Sequence, residues 1–139
     1  MRKNLSVLLA LGAILAATLA CNLGAAEMSL ENVRAAFDSD GNTPTEIFTP
    51  ADVFFVVADL KNAPAGTVAE ARWIAVQIEG YDPGELIYEQ AINDFADESY
   101  SGTIYFQLSN DAGWQVGEYR VDMYLDGTFV QTAAFSVRE

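Results

Sequence analysis

The sequence has no histidine, one cysteine and few basic residues, with seven lysines and arginines against 20 aspartates and glutamates. Without histidine, the chain lacks the usual physiological general base, the histidine of Ser–His and Cys–His nucleophilic sites, and histidine-based zinc ligands. It also lacks a glycine-rich phosphate loop, because the spacing from Gly113 to Gly117 is typical of a turn. The acidic excess repels phosphate backbones. We therefore expect neither an enzyme nor a nucleic-acid-binding protein.

Long hydrophobic runs are scarce as well, and the single one lies at the start of the chain. It extends from Leu5 to Leu19 and follows the basic pair Arg2 and Lys3. The run is short for a membrane span, which needs about 20 apolar residues, and its pattern is typical of a helical signal peptide. Removal of this segment takes away both basic residues and leaves five basic and 20 acidic side chains, a net charge of −15. The mature surface is therefore strongly acidic.

The lone cysteine, Cys21, lies where the apolar run ends, in the sequence Ala17-Thr18-Leu19-Ala20-Cys21-Asn22. This stretch resembles a bacterial lipobox, in which the cysteine is acylated and becomes the first residue of the mature chain. Leucine is more usual at the position of Thr18. Two alternatives stay open: an ordinary signal peptidase cut after Ala20, which leaves a free thiol, and a later cut near residues 24–26, which discards the cysteine.

The lipobox resemblance implies a membrane partner, reached through an N-terminal lipid on the extracytoplasmic face. Each buried CH₂ of an acyl chain contributes about 0.8 kcal/mol to membrane binding, so that two or three chains anchor stably. We expect residues 1–20 to be the lipoprotein signal peptide, 21–27 a tether and 28–139 one secreted domain.

The domain consists of short alternating or β-branched segments separated by turn signals. Both faces of 69–79 are apolar in the middle, which indicates a central strand, whereas 85–92 is a weaker strand or an edge strand. The sequence therefore predicts an all-β fold, a single antiparallel β-sandwich of about seven strands. The predicted strands are 28–37, 53–60, 69–79, 85–92, 102–108 and a hairpin over 117–137, with 47–52 as a bend fixed by Pro50. The beginning of 28–37 could equally be a helical turn.

The hairpin turns at Asp126 and Gly127, a dipeptide that strongly favours a hairpin. A plain two-residue loop places Leu125 opposite Thr128 and, in a regular ladder, leaves Phe129 and Phe135 on the wrong face. A three-residue loop, Asp126-Gly127-Thr128 with a bulge, buries more apolar area. The sequence favours this bulged loop.

The stretch Gly117-x-Tyr119-x-Val121 resembles the sixth strand of immunoglobulin-like and fibronectin-like sandwiches. The resemblance implies that the Tyr119 hydroxyl closes the preceding corner and that Trp73 matches the buried tryptophan of the third strand. It also implies a module without the usual inter-sheet disulfide, since no cysteine pair exists. The wider pattern looks like a domain repeated among secreted bacterial lipoproteins, for which the resemblance implies no activity.

One loop carries a possible calcium site. Asp38, Asp40 and Asn42 alternate as oxygen ligands do in calcium loops, with Gly41 between them. The pattern departs from the EF-hand because Thr49 occupies the twelfth position, where a glutamate should close the loop. A solvated turn is the alternative. We therefore expect no cofactor, with Ca²⁺ as the one candidate.

Aromatic and acidic residues are the candidates for partner binding. Trp114, Tyr81 and Tyr124 are the main ones, and Tyr88 and Tyr100 could extend the patch. The alternative for Trp114 is that its ring covers the end of the core. The acidic connection from Asp94 to Glu98 suggests a basic partner, or else a solvated loop.

These observations favour a lipid-anchored, extracytoplasmic, non-catalytic binding or adhesion module for a protein or glycan partner. The second hypothesis is a structural or accessory subunit of a cell-envelope complex that engages through an edge strand. A calcium-binding module and a carboxylate-dependent hydrolase are weaker alternatives. The hydrolase requires a cleft with two carboxylates of unequal pKa.

Overall fold

The computed structural model describes residues 24, 26–95 and 97–139. The predicted signal peptide, the lipidation site Cys21 and most of the predicted tether lie outside the described residues. In the part of the chain that is described, no helix is long and apolar enough to cross a membrane. The eight strands are β1 (Ser29–Ala36), β2 (Ile47–Phe48), β3 (Phe54–Ala63), β4 (Thr67–Ile78), β5 (Leu86–Phe95), β6 (Tyr100–Leu108), β7 (Gly117–Leu125) and β8 (Thr128–Val137).

The strands form two sheets, and the predicted all-β sandwich is confirmed. One sheet has the order β1-β3-β6 and the other has the order β2-β8-β7-β4-β5. All pairings are antiparallel except that of β2 with β8, which is parallel. The count is one strand more than expected, because the chain around the predicted bend at 47–52 pairs with the end of β8. Strand β4 is central, and β5 and β6 are edge strands of different sheets.

The core lies between the sheets and follows from the alternation of the central strands. Every second residue of β4 from Ala69 to Ala75 is buried, and Trp73 is only 2% exposed. The small alanines leave room for the large rings that the opposite sheet and the strand ends supply. Phe54 packs against Phe48 and Phe135, with both ring centroids 4.8 Å away. The aromatic rings therefore fill the centre of the sandwich near one end.

The predicted three-residue loop of the final hairpin is wrong. Leu125 pairs with Thr128, and Asp126 and Gly127 alone form the turn, with φ angles of 47° and 77°. These angles are those of a type I′ turn, whose twist matches that of the flanking strands. Further along, the register shifts so that Met123 pairs with Gln131. The extra residue that keeps the apolar side chains of both strands on one face therefore lies inside β8 and not in the loop.

Because of this bulge, the buried half of the hairpin has the same residue pairs that a three-residue loop would give. Tyr119 pairs with Phe135 and Val121 with Ala133, and all four side chains are buried. The exception is Phe129, which lies before the bulge and is 53% exposed. One inserted residue in β8 thus directs Phe135 inward and leaves Phe129 outside.

Tyr119 is the third residue of β7, next to the corner where the chain enters this strand. Its hydroxyl donates a hydrogen bond of 2.7 Å to the carbonyl of Gln115, four residues earlier. Burial raises the pKa of its phenol to about 12. Gly117, two residues before, lets the backbone pass close to the carbonyl of Gln77, where a Cβ atom would overlap. The two residues fix the chain as it enters the sheet.

Candidate binding groove

The predicted binding aromatic Trp114 belongs to the core wall. Its ring stacks on Phe54 with centroids 4.4 Å apart, and its Nε1 donates a hydrogen bond of 3.0 Å to the carbonyl of Asp52. Its backbone amide donates to the carbonyl of Pro50. Both the ring and the polar edge of the indole are occupied. Trp114 therefore covers the end of the core, which is the alternative that the sequence left open.

The other two predicted aromatics lie apart from each other. Tyr81 is exposed in the turn after the end of β4. Tyr124 lies on the outer face of the larger sheet opposite Glu70, near the start of β4. The Arg72 guanidinium lies 4.2 Å from the Tyr124 ring centroid, and Phe129 contacts the same ring edge-on. The structure therefore does not bring Tyr81, Tyr124 and Trp114 into one patch.

The loop predicted as a calcium site is built around an arginine. Arg34 donates hydrogen bonds to the carbonyls of Gly41 and Asp40. The Asp38 carboxylate accepts from the backbone amides of Asn42 and Thr43, and the bond from Asn42 holds the pKa of Asp38 below its usual value. A guanidinium among these carbonyls opposes a cation. Among the described residues, no group of three or more acidic or cysteine side chains is arranged to hold a metal.

An apolar groove lies between the edge strands β5 and β6, where the two sheets are not joined. Its volume is about 430 Å³. Tyr105 borders it and is 46% exposed, whereas Ile104 and Phe95 are buried. We call this feature the β5–β6 groove, and its lining residues are Ile92, Phe95, Tyr100, Thr103, Ile104 and Tyr105.

The ring of Tyr100 is held in the groove by three neighbours. It packs on Phe95 with ring centroids 4.7 Å apart, and its hydroxyl donates a 3.1 Å hydrogen bond to the carbonyl of Thr103. It crosses Gly102, where a Cβ atom would lie 2.7 Å from the hydroxyl oxygen. The absence of a side chain at residue 102 therefore lets the ring lie along the strand.

The Gln90 side chain lies at the end of the groove that is away from Phe95 and Tyr100. Gln90 of β5 accepts a 2.9 Å hydrogen bond from Nε1 of Trp73 and donates one of 2.8 Å to the carbonyl of Gln107 in β6. We call this pair of bonds the Gln90 bridge. It satisfies the one polar atom of the buried indole and joins the two edge strands at this level.

Acidic residues line the end of the groove beside Phe95 and Tyr100. A second hollow of about 350 Å³ is formed by Asp97, Glu98 and Ser99 together with Phe95 and Tyr100. Because the two hollows share the last two rings, they are continuous. Asp97 and Glu98 are exposed, and neither takes part in a salt bridge within the described part of the chain. The carboxylates therefore form an acidic rim beside aromatic surface.

The sequence points to parts of this site and misses its centre. Tyr100 and the acidic connection are among the predicted candidates. The missed residues are Ile92, Ile104 and Tyr105, which read as ordinary strand residues, and Phe95, which lies in the predicted acidic connection but belongs to β5. Their proximity depends on β5 and β6 being the edges of different sheets, which no local pattern encodes.

Comparison with known proteins supports the fold. No family model and no curated protein matches the chain. An immunoglobulin-like protein from Pseudomonas aeruginosa superposes with a TM-score of 0.56 at 13% identity, over 83% of this chain and 99% of its own. The fold is immunoglobulin-like.

Two larger enzymes contain a similar unit. The Pseudomonas fluorescens alkylpurine DNA glycosylase AlkC, in a complex with DNA, gives a TM-score of 0.51 at 13% identity, and the match covers 82% of this chain but 31% of the glycosylase. A β-glucosidase from Thermotoga neapolitana gives 0.50 at 17% identity, over 81% of this chain and 16% of the enzyme. This chain thus spans a minor part of both enzymes, and the likeness concerns the fold alone.

Proposed function

We propose that the protein is a non-catalytic binding module, anchored by a lipid on Cys21 at the extracytoplasmic face, that captures a protein partner in the β5–β6 groove. The observation that carries the proposal is the groove itself, an apolar surface flanked by two edge strands and rimmed by carboxylates that form no salt bridge with any described residue. Exposed apolar surface of this kind marks binding sites in soluble domains.

A protein partner fits the groove better than a glycan. Glycan binding favours an exposed aromatic platform, and the strongest candidate for that role, Trp114, packs on Phe54. The ring of Tyr100 packs against Phe95 and binds Thr103, so it adds to the groove wall instead of presenting a free face. Free strand edges beside the groove supply the backbone groups that an extended protein segment requires.

Lipid anchoring has its own test. The variant Cys21→Ser, expressed from the full sequence, should lose incorporation of labelled fatty acid and move from the membrane to the soluble fraction. Mass spectrometry of the mature N-terminus of the unchanged protein should show the acylated cysteine. An unmodified terminus at residue 25, 26 or 27 contradicts the anchor, and the groove keeps its proposed role.

Partner binding is tested by cross-linking in intact membranes followed by recovery of the full-length protein. The variant Tyr105→Ala removes a half-exposed ring from the groove. Phe129→Ala is a matched control, because Phe129 is also half exposed but lies on β8 of the other sheet. We expect the first variant alone to lose the cross-linked partner. Equal recovery with both variants contradicts a site in the groove.

The same experiment separates a binder from an accessory subunit of a cell-envelope complex. A partner that stays bound at constant stoichiometry without cross-linking indicates the subunit. A partner recovered only after cross-linking indicates transient capture. Strand β6 is an unpaired edge nine residues long, which gives the subunit hypothesis its structural basis.

A further inference from the structure

The outer edge of β6 lacks the charges and prolines that usually protect an edge strand. β6 pairs with β3 on one side, and none of the described strands pairs with its other side. Natural edge strands are usually short, or carry charges, prolines or bulges that prevent further pairing. β6 has nine residues, Tyr100–Leu108, and its sequence YSGTIYFQL contains neither a charged residue nor a proline. A long uncharged edge is unusual in a chain with this many acidic residues.

Resting on the function proposed above, we infer that the partner adds an extended segment with basic side chains as a further strand along β6. The backbone amides and carbonyls along the outer edge of β6, apart from the engaged carbonyls of Thr103 and Gln107, supply the hydrogen bonds of strand addition. Alternate side chains of an added strand point into the β5–β6 groove. The surface that they meet is formed by Phe95, Tyr100 and Ile104, so those side chains should be apolar.

The Gln90 bridge limits the length of the added strand. The Gln107 carbonyl accepts the Gln90 side chain and is engaged at that point. Before that point, the Thr103 carbonyl accepts the Tyr100 hydroxyl, which an added strand has to displace in order to pair from Tyr100 to Tyr105. These six positions border the groove and are the length of a common short strand.

Charge determines which segment binds. Asp97 and Glu98 lie shortly before β6 and form no salt bridge among the residues that the structure describes, so one end of an added strand meets two exposed carboxylates. Lysine or arginine at that end gains charge-assisted contacts, and the acidic molecule attracts a basic segment over a longer range. A basic side chain near Tyr100 also meets an aromatic ring.

The same charges disfavour a second copy of this chain as the occupant. Antiparallel pairing of two β6 strands brings Asp97 and Glu98 of one copy toward Asp111, which follows β6 in the other. Parallel pairing brings the acidic rims of both copies together. Each arrangement sets like charges against one another at the ends of the strand pair.

The test uses the full-length protein in detergent micelles and fluorescently labelled synthetic peptides. The probe peptide alternates valine and threonine over the length of the open edge and ends in lysines. A second peptide ends in glutamates, and a third carries the lysines but has proline in place of the central threonine. We expect fluorescence anisotropy to show binding of the first peptide, roughly tenfold weaker binding of the second, and loss of binding for the third.

Paired variants locate the site. Tyr105→Lys places a cation on the β6 edge, and Phe129→Lys makes the same change on β8, so only the former should abolish binding of the lysine peptide. The double change Asp97→Asn and Glu98→Gln should weaken binding and flatten its salt dependence. Its control, Glu79→Gln and Asp82→Asn, removes two exposed carboxylates at the β4–β5 turn and should have little effect.

Several results overturn the inference. Equal affinity for the lysine and glutamate peptides removes the charge selection, and binding of the proline peptide removes strand addition. Dimerisation in analytical ultracentrifugation that Tyr105→Lys abolishes identifies a second copy as the occupant. If no peptide binds while Tyr105→Ala still loses the cross-linked partner, the groove keeps its function and the inference about strand addition fails.

Discussion

At the scale of single residues, polar atoms on aromatic side chains decide whether a ring is structural. Trp73, Trp114 and Tyr119 each donate to an acceptor inside the molecule, and each packs against the Phe54–Phe135 group. Tyr105 has only a tilted contact with Phe55 and stays half exposed. The sequence shows that Trp114 has an aromatic ring, but it does not show the carbonyl that accepts the indole hydrogen bond. For this reason the sequence alone predicts Trp114 as a binding residue.

Trp114→Ala tests this assignment. Removing a half-buried ring that stacks on Phe54 should lower the free energy of unfolding by about 2–3 kcal/mol, measured by urea denaturation. Recovery of the cross-linked partner should be unchanged at a temperature where the variant is folded. Loss of the partner with unchanged stability contradicts the structural role.

The Tyr119 hydroxyl gives a second test at this scale. Tyr119→Phe leaves the Gln115 carbonyl without its donor and should cost about 1 kcal/mol of unfolding free energy. Tyr105→Phe is the control, since Tyr105 is half exposed, and should change stability by less than about 0.5 kcal/mol. Similar losses in both variants contradict a specific role for the corner.

The same phenol predicts a response to alkaline pH. Its folded pKa is about 12, above the usual value near 10, so the folded state holds the proton more tightly than the unfolded state. The resulting stability is complete below pH 10 and is lost as the pH rises toward 12. Ultraviolet titration should show a tyrosine that ionises near pH 12, and Tyr119→Phe should remove that step.

At the scale of elements, the final hairpin shows how much of the fold a sequence predicts. The buried pairs around Tyr119 and Val121 follow from parity, because apolar residues must share one face. The position of the extra residue does not follow from parity, since a bulge in the loop and a bulge in β8 give the same buried pairs. Asp126 decides between them. Its backbone amide donates to the Val68 carbonyl, and its carboxylate accepts from the Val68 amide, so the tight turn is tied to β4.

Deletion of Val130 should remove the bulge and leave Tyr119 opposite Phe135. We expect a folded protein with an unchanged near-ultraviolet circular dichroism spectrum. We also expect a greater tendency to aggregate, because β2 pairs only with the end of β8 and the rest of this side of β8 becomes a regular, less protected edge. Deletion of Asp126 is the matched control and should unfold the hairpin, since it removes a turn residue and both bonds to Val68. A folded Asp126 deletion contradicts the assignment of the turn.

At the scale of the whole molecule, composition predicts the class of fold but not the site. Alternation and turn signals are local, and they are sufficient for a two-sheet all-β sandwich. The β5–β6 groove arises because consecutive strands β5 and β6 belong to different sheets. That assignment depends on non-local pairing of β5 with β4 and of β6 with β3. Single-sequence patterns do not contain this information.

The acidic surface also predicts a response to salt. Five basic and 20 acidic side chains lie beyond residue 26, and the like-charge repulsion among them favours the expanded state. Sodium chloride at physiological ionic strength reduces the screening length to about 8 Å. The melting temperature measured by calorimetry should therefore rise between low salt and physiological salt. A fall indicates that the Glu31–Lys61 and Arg72–Glu89 ion pairs outweigh the repulsion.

The Gln90 bridge connects the buried indole of Trp73 to the end of the groove. A segment that fills the groove ends beside the Gln90 side chain, and any shift of Gln90 changes the polarity around the indole nitrogen. The emission wavelength of Trp73, measured with Trp114 replaced by phenylalanine, thus gives an optical readout of occupancy that needs no label on the partner. The core of the molecule can report what its edge has bound.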